Sequence, residues 1–182
     1  MVPDPSAHYK TPADSLVIMH EIVLPNDTNI FTNLMGGRLM HWMDICAAIS
    51  AQKHSNQPSV TVAVNNVSFE HPIRLGDTVV LESRVVRAFK TSMEIYIEVF
   101  VENAVNRTRF RSNEAFFTFV AINEKGRPMP VPQVKPITTR DKELYDLALL
   151  RRQLKLLAAG KKKLYEMPEL HAQFQEWMDT SA

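Results

Sequence analysis

Four residues whose types suit carbonyl chemistry stand within a dozen positions of each other: Asn33, Gly36, Gly37 and Asp44. Asp44 is an acid between Trp42-Met43 and Ile45-Cys46. A carboxylate in such surroundings is costly to desolvate unless it is paired or used. Burial disfavours the charged form of an acid and so moves a carboxylate toward general-base strength. The bland alternative is an acid at an exposed helix edge or one bonded to a neighbouring hydroxyl. Gly36-Gly37 precedes an apolar run that reads as a helix. A helix N-terminus offers unused amides and a partial positive charge, which suit a carbonyl oxygen becoming an oxyanion. The glycines would let that carbonyl come close, or they merely permit a tight turn. Asn33 would orient a water or bond the carbonyl, or it caps a loop turn.

Gly37 and Asp44 are seven residues apart, nearly two helical turns, and share about the same face. At about 1.5 Å per residue they are separated by about 10 Å along the axis. That is too far for both to act on one carbonyl carbon within one rigid helix. Either the loop before the helix folds back or the helix start comes from a second chain, which predicts a composite site at a dimer interface.

These residues need elements to hold them. Residues 15–24 are apolar and β-branched and read as a strand, followed by an Asn-, Asp- and Thr-rich loop over 25–35. A helix is expected over about 38–53, with Leu39, Met43, Ala47 and Ser50 on one stripe. Few of its positions are charged, which predicts burial on most sides. Residues 59–71 alternate at their start, placing Val60, Val62 and Val64 on one face. Residues 77–89 form a long strand with Val79, Leu81, Ser83 and Val85 on one face. A hairpin at Lys90, Thr91 and Ser92 leads to a stripe of Met93, Ile95, Ile97, Val99 and Val101. Residues 108–122 carry Ala115, Phe117, Phe119 and Ala121 on one face. Such hairpins imply an antiparallel sheet. Prolines end regular structure over 126–136. Thr138, Thr139 and Asp141 mark the start of a helix over about 141–159, and a short helix is expected over 167–178.

The chain has 182 residues, 45% of them apolar, enough for one domain with a real core. Its net charge of +1 makes no case for nucleic acid or a membrane surface. Its one cysteine, Cys46, reads as a buried structural thiol, and a chain without a disulfide framework fits a reducing compartment. No basic segment followed by an apolar one opens the chain, and no apolar run reaches membrane-span length, so a cytoplasmic protein is expected. No two of the six histidines have a zincin-like helical spacing, so no metal is expected; His41, on the helix, reads as structural. Walker, GxGxxG and GxSxG motifs are absent. The basic tail residues Arg151, Arg152, Lys155 and Lys161 to Lys163 read as a solvated face, or as an attraction for a phosphorylated ligand or an acidic partner.

The runs PNDTN, NLMGGRLMHWMD, SVTVAVNNVSFEHPIRLGD and NEAFFTFVAIN, spread over residues 15–125, resemble the acyl-CoA hydrolase family of hotdog-fold thioesterases, which includes brain-type and YciA-like members. The resemblance implies an α+β hotdog fold: a long antiparallel sheet wrapped around one central helix. The expected organisation is a lead-in at 1–14, the hotdog thioesterase domain at 15–125, a Pro-rich linker at 126–136 and a helical tail at 137–182. The resemblance implies hydrolysis of acyl-CoA to free fatty acid and CoA, and nothing in the sequence demands a metal or redox cofactor, coenzyme A being part of substrate and product. The family's helix acid falls on Asp44, as general base or nucleophile, and its loop partner on Asn33, the two meeting across a homodimer, with further assembly into a trimer of dimers. Gly36 and Gly37 would position the carbonyl. Candidate CoA contacts are Val62, Ala63, Val64 and Asn65 on one strand, with Arg84, Lys90, Thr91 and Ser92 near the hairpin. The rivals are a non-catalytic acyl-CoA sensor, against which Asp44 argues, and a hotdog hydratase or dehydratase. The latter needs a histidine with an acid near the helix start, and none is expected there.

Overall fold

A computed structural model describes residues 9–65, 67, 71–103, 105, 107–161, 163, 166–168 and 170–172. The chain forms two compact units, Met1–Ile137 and Thr138–Ala182. In the first, five strands make one antiparallel sheet in the order β2-β4-β5-β6-β3: β2 (Val17–Ile22), β3 (Ser59–Asn65), β4 (Thr78–Ala88), β5 (Ser92–Asn103) and β6 (Thr108–Ala121). The helix α1 (Gly36–Ser55) lies against β4, β3, β5, β6 and β2. This is the expected hotdog arrangement.

The alternating stripes account for it. Leu81, Ser83 and Val85, then Met93, Ile95, Ile97 and Val99, then Ala115, Phe117, Phe119 and Ala121 are all buried, as one face of a pleated sheet packed on a helix must be. Leu39, Met43, Ala47 and Ser50 are buried on the facing side of α1. Between helix and sheet runs a polar seam. The Ser83 hydroxyl lies 2.7 Å from that of Ser50 and donates to the Cys46 carbonyl at 2.9 Å, and Ser50 also reaches the Ser15 carbonyl. Cys46 is buried, as expected, and desolvation pushes its thiol pKa up.

Several boundaries differ from expectation. The first strand is shortened by a 3-10 turn at Pro12–Ser15. The helix begins at Gly36, so the double glycine is its first turn rather than a bend before it. The reason is Asp27, a buried acid that organises the preceding loop. It accepts the Leu24 amide, pairs with Arg38 at 2.8 Å, and its carbonyl accepts the Met35 amide. The segment after the last long strand is not wholly irregular: β7 (Gln133–Val134) pairs in parallel with β1 (Tyr9–Lys10). In the second unit, α2 (Thr139–Ala158) is capped by Thr138 and Asp141, each accepting the other's amide. Residues 1–8, the end of the strand expected over 59–71 and residues 169 and 173–178 of the last expected helix lie outside the described residues. No helix among the described residues is long and apolar enough to cross a membrane.

Three β-bulges change which side chains face the helix; one in β4 makes Val86 the extra residue, so that Arg87 pairs with Glu94 and Ala88 with Met93. In β3 the pairing with β6 shifts between Thr61 and Ala63, so Val62 is the extra residue. The expected common face of Val60, Val62 and Val64 is therefore broken: Thr61 pairs with Phe119 and Val64 with Phe117, both from the helix-facing stripe. In β6, Val99 pairs with Asn113 but Phe100 pairs with Arg111, leaving Ser112 as the extra residue.

Candidate active site

Asp44 is half-buried on α1, and the Thr61 hydroxyl donates to its Oδ1 at 2.7 Å. The bulge at Val62 is what turns Thr61 to the helix side. Sequence reasoning placed this strand near the ligand but did not single out Thr61; its only signal was the expectation that a helix acid would find a hydroxyl. His41, one turn before Asp44, is exposed, and Ile45 and Ile49 on the same flank are 38% and 41% exposed. The helix is thus not buried on most sides. One flank is open, next to the edge strand β3, whose Val60 and Val62 are 43% and 60% exposed.

A cavity of about 440 Å³ opens at the N-terminus of α1. Gly36 forms part of its wall, with the amides Asn29, Asn33 and Asn113 and the imidazole of His71. Leu34, Leu39, Pro72 and Ile73 complete it. Asp44 is not among these residues. Within one chain the acid and the helix-start cavity are therefore separate places, in keeping with the 10 Å axial offset of Gly37 and Asp44.

The loop of residues 25–35 builds the cavity rim. Leu34 donates its amide to Ile73 at 2.7 Å and Leu75 donates to Thr32, so the loop is laced to the segment before β4. Asn29 is the organiser of the tip. Its Oδ1 accepts the amides of Phe31 at 2.9 Å and Asn33 at 3.2 Å, and its own amide donates to the Asn33 carbonyl. Two backbone donors on one side-chain atom settle that atom as oxygen, so Nδ2 is the donor end of the Asn29 side chain. Thr32 sits at φ 58° in this tight turn, a conformation uncommon for a residue with a Cβ. Asn33 lines the cavity as well, with its backbone bridged to Arg74. Sequence reasoning chose Asn33 from the asparagines in this loop; nothing in their order along the chain reveals which amide is clamped.

The amides of Gly36 and Gly37 are the first of the helix and have no intrahelical acceptor; the helix ladder begins with Arg38 and Leu39 donating to Met35. A Cβ added at Gly37 would meet nothing within 4 Å. The fold of this chain does not require that glycine, so the tight-turn explanation does not account for it.

The remaining candidates are spread out. Ala63, Val64 and Asn65 on β3 are half-buried, and the Asn65 Nδ2 is buried without a partner among the described residues. Arg84 lies on the sheet face away from α1, over the Tyr96 ring at 5.6 Å and 3.9 Å from Glu98. Lys90 and Thr91 occupy the β4–β5 turn and Ser92 opens β5; their carbonyls accept the amides of Val131, Ala121 and Phe89 respectively. That turn is nine residues along β4 from Leu81, which is level with Asn113, and so roughly 30 Å from it. One chain does not bring these groups to the cavity. His71 and Asn113 were not anticipated. His71 contradicts the expectation of no histidine near the helix start; it reaches the cavity through the chain's return along residues 71–75. Among the described residues no group of three or more His, Cys, Asp or Glu is placed to hold a metal ion.

Comparison with known proteins bears on this arrangement. The thioesterase superfamily model matches residues 31–106, from the loop through α1 and β3 to β5. An uncharacterized acyl-CoA thioester hydrolase of Bacillus subtilis, YkhA, is 38% identical over 138 residues, 76% of this chain and 80% of that protein. The chain belongs to the thioesterase superfamily. A hexameric acyl-CoA thioesterase solved without ligand superposes on this thioesterase with a TM-score of 0.81 at 35% identity, covering 85% of this chain and 99% of that one. An acyl-CoA hydrolase of Staphylococcus aureus, solved in complex with butyryl coenzyme A, coenzyme A and coenzyme A disulfide, superposes with a TM-score of 0.76 at 31% identity, covering 84% and 95%. Alanine variants of that enzyme at an aspartate, an asparagine and a threonine have also been solved.

Proposed function

We propose that this thioesterase hydrolyses acyl-CoA thioesters at a site shared by two protomers, with Asp44 and Thr61 of one facing the helix-start cavity of the other. The observation that carries the proposal is the separation of Asp44, fixed by Thr61, from the cavity lined by Asn29, Asn33 and Gly36. The open flank of α1 with Ile45 and Ile49, beside the unpaired edge of β3 with Val60 and Val62, supports pairing with a second copy. Such dimers would assemble further as a trimer of dimers, as the hexameric relative suggests.

The spacing of the altered residues in the Staphylococcus aureus enzyme supports the assignment. There the asparagine stands fifteen residues before the aspartate and the threonine seventeen after it. Asn29, Asp44 and Thr61 repeat both spacings. Asn29 therefore joins Asn33 as a loop partner of Asp44, and its clamped side chain is the better placed donor.

In this scheme the thioester carbonyl oxygen sits against the Gly36 and Gly37 amides and the Asn29 Nδ2. Thr61 holds Oδ1 of Asp44, and Oδ2 takes a proton from a water that attacks the carbonyl carbon. The tetrahedral oxyanion is stabilised by the helix-start amides. Its collapse breaks the carbon–sulfur bond, and the proton held on Asp44 passes to the departing sulfur, which releases the acid and CoA and restores the carboxylate. The CoA arm would run over β3 at Val62 to Asn65, with Arg84 and the turn at Lys90, Thr91 and Ser92 contacts for its distal, phosphorylated end. No step passes through a metal or redox cofactor.

Thiol release from a panel of acyl-CoAs, with Asp44→Asn as control, tests the proposal. Release by the wild type and its loss in the variant support it; binding without release would mean a sensor. Hydrolysis in ¹⁸O water under single turnover separates a general base from direct attack, because only direct attack leaves label in Asp44. His71 at the cavity favours one second reading, hydration of an enoyl-CoA. Formation of a hydroxyacyl-CoA without thiol release would establish that chemistry instead.

A further inference from the structure

We infer that Ile30 and Phe31, at the tip of the loop before α1, grip the partner subunit and so seat Asn29 and Asn33 against the partner's Asp44. This rests on the proposed shared site and adds the contact by which one protomer positions its donors on the acid of the other.

The loop is a small hairpin. Thr28 bridges Leu34, the Asn29 amide donates to the Asn33 carbonyl at 2.8 Å, and the Thr32 amide donates to the Asn29 carbonyl at 3.0 Å. Ile30 and Phe31 are therefore the two central residues of a β-turn. Such positions favour Gly, Pro, Asn, Asp and Ser, each of which suits the turn for its own reason. Here they hold two large hydrocarbons, 90% and 72% exposed. The turn does not need those side chains. Asn29 Oδ1 closes it by accepting the amides of Phe31 and Asn33, and its base is tied through Leu34 to Ile73 and through Leu75 to Thr32. Two adjacent apolar side chains that neither build their turn nor pack on their own chain, held out on a braced loop, are what a partner surface can grip at little ordering cost.

Where they stand says what they grip. The ends of a β-turn lie within about 7 Å of each other. Ile30 and Phe31 thus stand directly between Asn29 and Asn33, whose side chains line the helix-start cavity. The other half of the site is rimmed in the same way. Ile45 adjoins Asp44, Ile49 follows one helical turn on, and Val60 and Val62 flank Thr61; all four are at least 38% exposed. Each half of the site carries an apolar collar next to its polar groups, and bringing the halves together brings the collars together. Residues 28–35 and β3 contain no Asp, Glu, Lys or Arg. Depletion of charge is the mark of an interface core and not of its rim. The tip supplies no reacting group. It is a positioning element that fixes the distance from the Asn29 amide and the helix-start amides of one protomer to the acid of the other, and a misplacement of about 1 Å in such a constellation can lower the rate by about 10².

Cross-linking reads the contact directly, because Cys46 is the chain's single thiol and is buried. The full chain carrying Phe31→Cys with Ile45→Cys, or Phe31→Cys with Val62→Cys, is treated with a short bis-maleimide. Covalent dimers in excess of those from the single variants are expected. Dimers from Phe31→Cys alone would set tip against tip, and no excess from either pair would set the tip elsewhere; both results overturn the inference. Activity reads the positioning. Phe31→Asp should lower kcat by about 10² with circular dichroism unchanged, and Phe31→Leu should keep most of the activity; wild-type kcat in Phe31→Asp overturns the inference. Co-expressed with Asp44→Asn chains, Phe31→Asp chains should regain thiol release from acyl-CoA, since one site of the mixed dimer joins an intact tip to an intact acid. No regain there, with regain by Asn29→Ala chains on the same Asp44→Asn partner, overturns the role of the tip and leaves the shared site standing. No regain in either mixture overturns the shared site as well.

Discussion

The two flanks of α1 solve opposite problems. The flank toward β4 is sealed: Met43, Cys46, Ala47, Ser50, Ala51 and His54 are inaccessible, and Ser50, Ser83 and Cys46 exchange hydrogen bonds along the seam. The flank toward β3 leaves Ile45 and Ile49 open beside Val60 and Val62. Asp44 stands on the border, tied to the open side through Thr61. One flank is completed by the chain's own sheet. The other is apolar and unfinished, and the only acid on the helix is kept beside it rather than in the closed core, where an unpaired charge would be costly.

Removing the carboxylate tests the open flank most severely. Asp44→Asn should lower kcat/KM by about 10³, within the 10²–10⁴ range of a general base, with an unchanged thermal midpoint. Loss of fold along with activity would place Asp44 in the sealed group instead. Next is Asn29→Ala, which deletes one donor to the oxyanion and should reduce kcat by about 10². Retained activity with Asn29→Ala and lost activity with Asn33→Ala would reverse their assigned roles. Ile49→Glu should weaken the dimer by about 30-fold, the effect of losing roughly 2 kcal/mol at a central contact. Light scattering and activity against protein concentration should fall together, while circular dichroism stays that of a folded chain.

The sealed flank should respond in stability and not in chemistry. Ser83→Ala removes a hydroxyl shared by Ser50 and the Cys46 carbonyl and should cost about 1–2 kcal/mol in denaturant unfolding. Activity per folded molecule should be kept. The smallest effect concerns His54. Its Nε2 meets the Pro132 carbonyl at 2.8 Å, and burial pushes its pKa down from the usual 6.5. The unfolded chain therefore binds the proton more readily. The stability contributed by His54 is fully present above pH 6.5 and is lost as pH falls below that toward the depressed folded value. Unfolding midpoints across pH 7.5 to about pH 5 should decline for the wild type and flatten for His54→Gln.

Much of this was legible because side-chain period is local. The strands carrying Leu81, Ile95 and Phe117 alternate, and the helix stripe of Leu39, Met43 and Ala47 repeats at helical spacing, so their buried faces follow from the order of residues. Thr138 and Asp141 announce the second helix in the same way. The bulges were not legible. Nothing in SVTVAVN marks Val62 as the extra residue, yet that residue sends Thr61 to Asp44. Nothing in RSNEA marks Ser112, yet it turns Arg111 out and leaves Asn113 at the cavity. The choice between Asn29 and Asn33 depends on which amide is clamped by backbone donors, a matter of loop geometry.

The amino-acid order by itself determined a helix with an acid, preceded by two glycines, inside an antiparallel sheet, and helical rise alone showed that Gly37 and Asp44 cannot readily serve one carbonyl. Only the tertiary structure decided that the cavity belongs to the helix start and excludes Asp44, that Thr61 fixes the acid, and that His71 and Asn113 join the wall. The physical reason is range. Periodicity and helical rise act within a few residues, whereas a cavity is made by chain segments 36, 71 and 113 residues along, brought together by strand pairing whose register a single extra residue can reset.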